Sequence, residues 1–366
     1  MTAAMFFGPG PAALPRRVLD EAREAVRELD GTGLSILEHS HRGAAYGEVH
    51  DEALVLLRDV LDVPPSHEIL LLQGGARAQF AIAPMNLRRP GESADYVLTG
   101  TWSEQALAEA ERTGRARIAG TTRDSEATPA YTRVPRPEEL DIDPEAAYLH
   151  LTTNNTLFGT QFHTLPEPPP GVPLVADATS DLAGRRLDLS RFGVLYAAAQ
   201  KNLGIAGLTV VLVARDLLDR APEPVPTIFR YRTAADARSL QNTIPTFPVF
   251  VLRSLLRWMQ DQGGLDLLEA RNREKAATLY AALDAHRDFY RLPAEATSRS
   301  IANVVFFPPT AELGDRFLAE AAARGMTGLK GHRAVGGLRA SLYNAVEAGW
   351  VDALRELVTD FARRHG

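Results

Sequence analysis

The chain has 366 residues, 45% of them hydrophobic and 23% charged, with a formal net charge of −6 and no cysteine. This is ordinary globular composition at a length comfortable for two structural units. The acidic balance argues against a nucleic-acid surface, and the missing cysteine excludes disulfides, thiolate metal sites and a cysteine nucleophile.

The N-terminal stretch "MTAAMFFGPGPAALP" has neither a basic leader nor a sustained apolar core, and no run approaches the roughly 18 apolar residues of a membrane span. A cytoplasmic protein is therefore expected. Next, "LPRRVLDEAREAVREL" places apolar residues at 14, 18, 19, 22, 25, 26 and 29, which is helical spacing on one face. "HEILLLQ" (67–73) reads as a short strand entering "GGARAQFAIAPMNL", a helix that opens on glycines. "ADYVLTGTW" (94–102) reads as a strand, followed by the helix "SEQALAEAERTG" with Ser103 as N-cap and Gly114 as its stop. "RARIAGT" returns as a strand, and residues 120–145, polar and dotted with proline, read as a surface excursion.

Four strands then follow at close intervals: 146–153, 172–179, 192–199 and 207–214. Near-continuously apolar strands alternating with helices predict a mostly parallel sheet covered on both faces. Beyond about residue 245 the texture changes to two long helices broken at Gly263–Gly264. A strand, a helix, a strand around "LRASLYN" and a last helix then form a smaller α+β unit. The expected division is a large unit, 15–260, and a small one, 261–366, joined by the N-terminal segment 1–14.

In a parallel α/β sheet, ligands sit beyond the carboxyl ends of the strands. Gly74, Gly75 and Arg77, Trp102, Asn155 and Thr156, Asp177 and Lys201 all fall at such ends. Each has a structural alternative: a turn, a core indole, a helix cap, a snorkelling lysine. Together their chemistry fits pyridoxal phosphate. A desolvated lysine can attack its aldehyde, a carboxylate can keep its ring nitrogen protonated, an indole can stack on the ring, and glycines opening a helix can receive its phosphate. "EHSHRG" and "LKGHRAVGGLRAS" each hold a His-Arg pair, and the second adds Arg339. These suit a substrate with two or three negative charges. "HSH" lacks further clustered ligands, so no metal site is expected.

The segments "FGPGPAALP", "SHRG", "GGARAQF", "ADYVLTGTW", "NNTLFGTQ", "VADATSD", "YAAAQKNLGIAGLTVV", "NTIPTF" and "LKGHRAVGGLRASLYNA" run through the whole chain. With them the chain resembles the phosphoserine aminotransferase family, class V members of the fold-type I pyridoxal-phosphate enzymes. The resemblance implies a large domain with a mostly parallel seven-stranded sheet and a smaller C-terminal α+β domain.

It further implies that Lys201 holds the cofactor as an internal aldimine and shuttles a proton, with Asp177 on the pyridine nitrogen and Trp102 stacked on the ring. Thr156 and Gln200 would lie near the ring, and Ala76 and Arg77 would hold the phosphate together with Asn242 and Thr243 from the other subunit of a homodimer. Arg339 would take the substrate α-carboxylate, and His41, Arg42, His332 and Arg333 its distal anion. The implied reaction is ping-pong amino transfer between L-glutamate and 3-phosphohydroxypyruvate in serine biosynthesis. Whether the homologous 4-phosphohydroxy-L-threonine of pyridoxine synthesis is also a substrate is left open. A class V enzyme for small uncharged amino acids is the nearest alternative, and an uncharged substrate would leave the His-Arg pairs without a partner. A non-catalytic anion-binding protein on the same fold is a further alternative, against which Lys201, Asp177 and Trp102 stand. A dinucleotide-dependent dehydrogenase fails on context, because no strand precedes "GPGPAA".

Overall fold

The computed structural model describes residues 4–366. The first three residues of the 1–14 segment, and of the N-terminal stretch read above, lie outside it. In chain order the elements are β1 (Met5–Phe6), α1 (Arg16–Arg27), α2 (Ala44–Leu61), β2 (His67–Gln73), α3 (Ala76–Leu87), β3 (Ser93–Leu98), α4 (Thr101–Thr113) and β4 (Arg115–Thr121). They continue with β5 (Leu149–Thr152), β6 (Asn154–Asn155), β7 (Thr160–Gln161), β8 (Leu174–Asp177), β9 (Phe192–Ala198), β10 (Leu208–Ala214), α5 (Tyr231–Asp236), α6 (Thr246–Asp261) and α7 (Gly264–Ala285). The last are β11 (Asn303–Phe306), α8 (Ala311–Ala323), β12 (Met326–Thr327), β13 (Leu338–Ser341) and α9 (Ala348–His365).

The central sheet has seven strands in the order β2-β10-β9-β8-β5-β3-β4. The pairs β9/β8, β8/β5, β5/β3 and β3/β4 are parallel, whereas β10 runs antiparallel to both β9 and β2. Chain length dictates that exception. Only residues 199–207 separate β9 from β10, too few for the crossover of a dozen or more residues that a parallel neighbour needs. The chain therefore turns back at once, and Lys201 rides on that tight turn. Strands β5 and β8 are buried at every position, their polar His150, Thr152 and Asp177 included, because helices cover both faces.

Most predicted elements are present, with two shifts near the site. Strand β3 ends at Leu98 and the chain is already helical at Thr101, so Trp102 sits in the first turn of α4 and not at a strand end. The N-cap is Gly100, and Ser103 acts from inside the helix. Its Oγ accepts from the N–H of Thr99 at 2.9 Å and of Gly100 at 3.1 Å. Helix α2 is absent from the sequence reading, although its buried Tyr46, Val49, Ala53, Leu56, Leu57 and Val60 have helical spacing. The 120–145 excursion is largely irregular as expected, yet it buries Tyr131 against Phe158 with ring centroids 5.1 Å apart.

Two apolar clusters flank the central sheet, and a separate one gathers Phe7, Phe306, Phe317, Leu354 and Phe361 around β11, β13, α8 and α9. Helix α7 belongs to both sides: Leu265 and Leu268 pack with the sheet, Ala276, Leu279 and Leu283 with the C-terminal cluster. The segment after β1 crosses back to the sheet, with Ser341 N–H donating to Phe7 O at 3.1 Å and Ala12 N–H to Gln200 O at 2.9 Å. Among the described residues no helix is long and apolar enough to cross a membrane.

Candidate active site

At the carboxyl edge of the sheet lies a cavity of about 500 Å³ lined by residues from five strand ends and from the C-terminal unit. Asp177 is the last residue of β8 and stands opposite Thr152 of β5 in register. It is 4% exposed, and Thr179 N–H donates to its Oδ1 at 2.9 Å. Burial raises the pKa of Asp177, and hydrogen bonds from Thr179 and the charge of Lys201 oppose that rise.

Lys201 is 9% exposed, and its Nζ donates to Thr156 Oγ1 at 2.7 Å. Burial lowers its pKa to about 7; Asp177 acts against the shift, and the positive charge of Arg339 adds to it. A lysine held near neutrality in a desolvated site is a nucleophile at ordinary pH. Backbone packs closely over its stem. A Cβ at Gly10, whose φ is +132°, would lie 3.2 Å from Lys201 Cγ and 3.3 Å from Cε. Only glycine adopts that conformation readily, so position 10 lets the N-terminal segment pass across the lysine.

Arg339, on β13, is 4% exposed and lines the same cavity. Its Nε and Nη1 are buried without a protein partner, as is Thr152 Oγ1. Burial lowers the pKa of this guanidinium from its ordinary value. Unpaired buried donors are expensive, so their place in a cavity wall marks where a carboxylate or other acceptor belongs. Ala76 and Arg77 open the twelve-residue α3 behind Gly75; their N–H groups precede the first intrahelical bond and face the positive end of the helix dipole. Trp102, Gln200 and His332 complete the wall.

The fit to pyridoxal phosphate is thus good: a partly neutral buried amine, a buried carboxylate, a ring-sized cavity beside an indole, a helix start for phosphate, and an orphaned guanidinium. Thr179, Ser180, Asn154, Pro9 and Gly10 also line the cavity and were not singled out as site residues from sequence. "VADATSD" signalled the first two, but nothing in "FGPGPAALP" says that it folds across a lysine about 190 residues later.

Not every candidate residue meets here. Arg42 is exposed, and its Nη2 donates to Leu240 O at 3.4 Å and to Gln241 O at 3.5 Å. Asn242 and Thr243 are exposed beside the end of β2, where Asn242 Nδ2 donates to Gln73 Oε1 at 2.8 Å and Gln73 Nε2 donates to Thr243 O. His41 is buried with Nε2 unpartnered, just ahead of α2. Arg333 is exposed and lines a different groove, between β11, α8 and the 330–338 loop. His41, Arg42, Asn242, Thr243 and Arg333 therefore lie apart from the Lys201 cavity within one chain.

Comparison with known proteins agrees with this chemistry. The family model "Aminotransferase class-V" matches residues 4–354. Phosphoserine aminotransferase of Herpetosiphon aurantiacus is 47% identical over 98% of this chain and 99% of its own. That of Geobacillus kaustophilus is 46% identical over 100% and 99%. The solved phosphoserine aminotransferase from Bacillus circulans subsp. alkalophilus superposes with a TM-score of 0.95 at 43% identity, covering 100% of both chains. Another, pyridoxal-phosphate-bound, from Trichomonas vaginalis, gives 0.91 at 32% identity, over 97% of this chain and 99% of that one. The chain belongs to the class-V aminotransferases of the fold-type I architecture, and with them to the pyridoxal-phosphate-dependent transaminases.

Proposed function

We propose that this chain exchanges the amino group between L-glutamate and 3-phosphohydroxypyruvate, giving 2-oxoglutarate and O-phospho-L-serine in two reversible half-reactions. The observation that carries this reading is Arg339, a buried guanidinium with two free nitrogens in one cavity with Lys201 and Asp177. Both substrates carry an α-carboxylate for it to bind bidentately. Both also carry a second anion, to which His332 in the wall and His41, Arg42 and Arg333 outside it can answer.

Ala76 and Arg77 would hold the cofactor phosphate at the start of α3, Trp102 the ring face, and Asp177 its protonated nitrogen; Gln200 and Thr156 would lie beside the ring. Pyridoxal phosphate supplies an aldehyde for amine exchange and a ring that accepts the electrons left when Cα loses its proton. Lys201 Nζ, with its pKa lowered to about 7, would accept a proton from the substrate Cα and hold it for return. Thr156 Oγ1 orients this amine, and the Pro9–Gly10 backbone keeps water away from its stem. Arg339 fixes Cα within reach of it.

The exposed group of Arg42, Asn242 and Thr243 is read as completing the cavity of a second copy, making the working unit a homodimer with shared sites. The division into 15–260 and 261–366 with 1–14 is supported by the separate C-terminal apolar cluster that includes Phe7. Action in the cytoplasm, in serine biosynthesis, follows from the same reading.

The test is the visible spectrum of the purified, cofactor-loaded protein. A yellow band that bleaches with glutamate and returns with 3-phosphohydroxypyruvate is the expected result. Return only with an unphosphorylated keto acid would overturn the substrate assignment, and absence of any band would overturn the role of Lys201.

A further inference from the structure

Lys275 lies in the middle of α7, 4% exposed. Among the described residues it forms no ion pair with a carboxylate; its Nζ donates to Leu342 O at 3.1 Å, Tyr343 O at 2.8 Å and Val346 O at 2.9 Å. Three acceptors match the three donors of an ammonium group, and a neutral amine would leave one carbonyl facing a lone pair. Burial lowers the pKa of Lys275 to about 7, with Arg271 adding to the shift. A buried cation without a counter-ion is costly to keep, and an apolar side chain of similar length would pack there without that cost.

What the cation holds is the turn that follows β13. One end of this turn continues from the strand bearing Arg339; the other reaches the loop of the reactive lysine. Asn344 N–H donates to Asn202 Oδ1 at 3.1 Å, and Asn202 follows Lys201 directly. The Asn344 side chain donates to Ala183 O at 2.7 Å and accepts from Asn272 Nδ2 at 2.7 Å. Asn272 also donates to Gly184 O at 2.8 Å, one turn of α7 before Lys275. Ala183 has φ +62°, a left-handed conformation that alanine rarely adopts, and these bonds brace it.

We propose that Lys275 is a positioning residue for amino transfer: through the 342–346 turn it sets Arg339 at one end and, through Asn344 and Asn202, the Lys201 turn at the other. The α-carboxylate and the amine it must face are thereby held in one register across the junction between the C-terminal unit and the sheet. A substrate-holding guanidinium that drifts by about 1 Å can cost up to about a hundredfold in rate.

The test compares Lys275→Met, Asn344→Ala and a control, Leu279→Ala, which opens the fully buried apolar packing of the same helix. Each protein is loaded with pyridoxal phosphate. The readouts are thermal unfolding, the pH midpoint of the visible absorption band, and kcat and KM for glutamate well below the melting temperature. Lys275→Met is expected to lower kcat/KM by about tenfold or more, mainly through KM, and to move the absorption midpoint. Asn344→Ala is expected to move both in the same direction by less. Leu279→Ala is expected to lower the melting temperature with kcat/KM and midpoint unchanged. Wild-type kinetics and midpoint in both polar variants would overturn the proposal, as would equal changes in Leu279→Ala. If Lys275→Met does not fold, Asn344→Ala decides alone by the same criteria. Because all variants are compared with the wild type at one fixed concentration of 3-phosphohydroxypyruvate as acceptor, unchanged variants overturn only the role of Lys275, whereas a wild type that does not turn over would fault the substrate assignment.

Discussion

The cavity around Lys201 and the surface around Arg42 hold the same kinds of residues in opposite conditions. In the first, Lys201, Asp177 and Arg339 are buried, their pKa values displaced, and two guanidinium nitrogens wait for an acceptor. In the second, Arg42, Asn242 and Thr243 are exposed and spend their hydrogen bonds on neighbouring backbone and on Gln73. The same arginine chemistry is worth far more in the first setting, because water no longer competes for it. Within one chain Lys201, Asp177 and Arg339 already meet in one cavity, whereas Arg42, Asn242 and Thr243 stay in contact with water.

The strongest way to break this contrast is Lys201→Ala. Turnover is expected to fall by at least roughly a thousandfold, while the circular dichroism spectrum and the melting temperature of the cofactor-free protein are kept or improved, since a costly buried amine has gone. Turnover near wild type would remove the cavity from the mechanism.

Arg42→Ala sharpens the other side. It is expected to reduce kcat/KM for the phosphorylated substrates by roughly 10- to 100-fold, the worth of a charge-assisted hydrogen bond once covered. Cofactor loading, titrated by absorbance, is expected to stay unchanged. Equal loss of both would count against a role in holding the substrate's distal anion.

The smallest effect is on stability. The pKa of Lys201 falls from 10.5 in the free side chain to about 7 in the fold, so between those values the unfolded chain binds more protons than the folded one. Unfolding free energy therefore rises with pH across that window, and the cofactor-free protein is expected to melt higher at pH 9 than at pH 7. Lys275 contributes in the same sense. Lys201→Met is expected to flatten the slope by an amount on the order of a few kcal/mol over the window, measured by denaturant melts. An unaltered slope would mean that the amine is not desolvated.

Much of this molecule is written locally in its sequence. Nearly continuous apolar runs in β8, β9 and β10 reflect a sheet covered on both faces, and Gly263–Gly264 marks where α6 gives way to α7 because the chain there needs φ values of +93° and +80°. The residue types at strand ends were enough to point to an amine, a carboxylate and an indole around a phosphorylated cofactor. Helix α2 is legible too, by the helical spacing of its buried residues.

What tertiary structure alone decided are relations between distant segments. That β10 runs antiparallel follows from the nine-residue connection only once both strands are known to be neighbours. That Gly10 lies on Lys201, and that Arg42 sits with residues 240–241 and away from Arg339, depends on how units fold against one another. Periodicity reports which face of an element is apolar; it carries no information about which other element meets that face, because apolar burial is non-directional. Residue types set the chemistry available, and packing sets which groups are desolvated together and can therefore react.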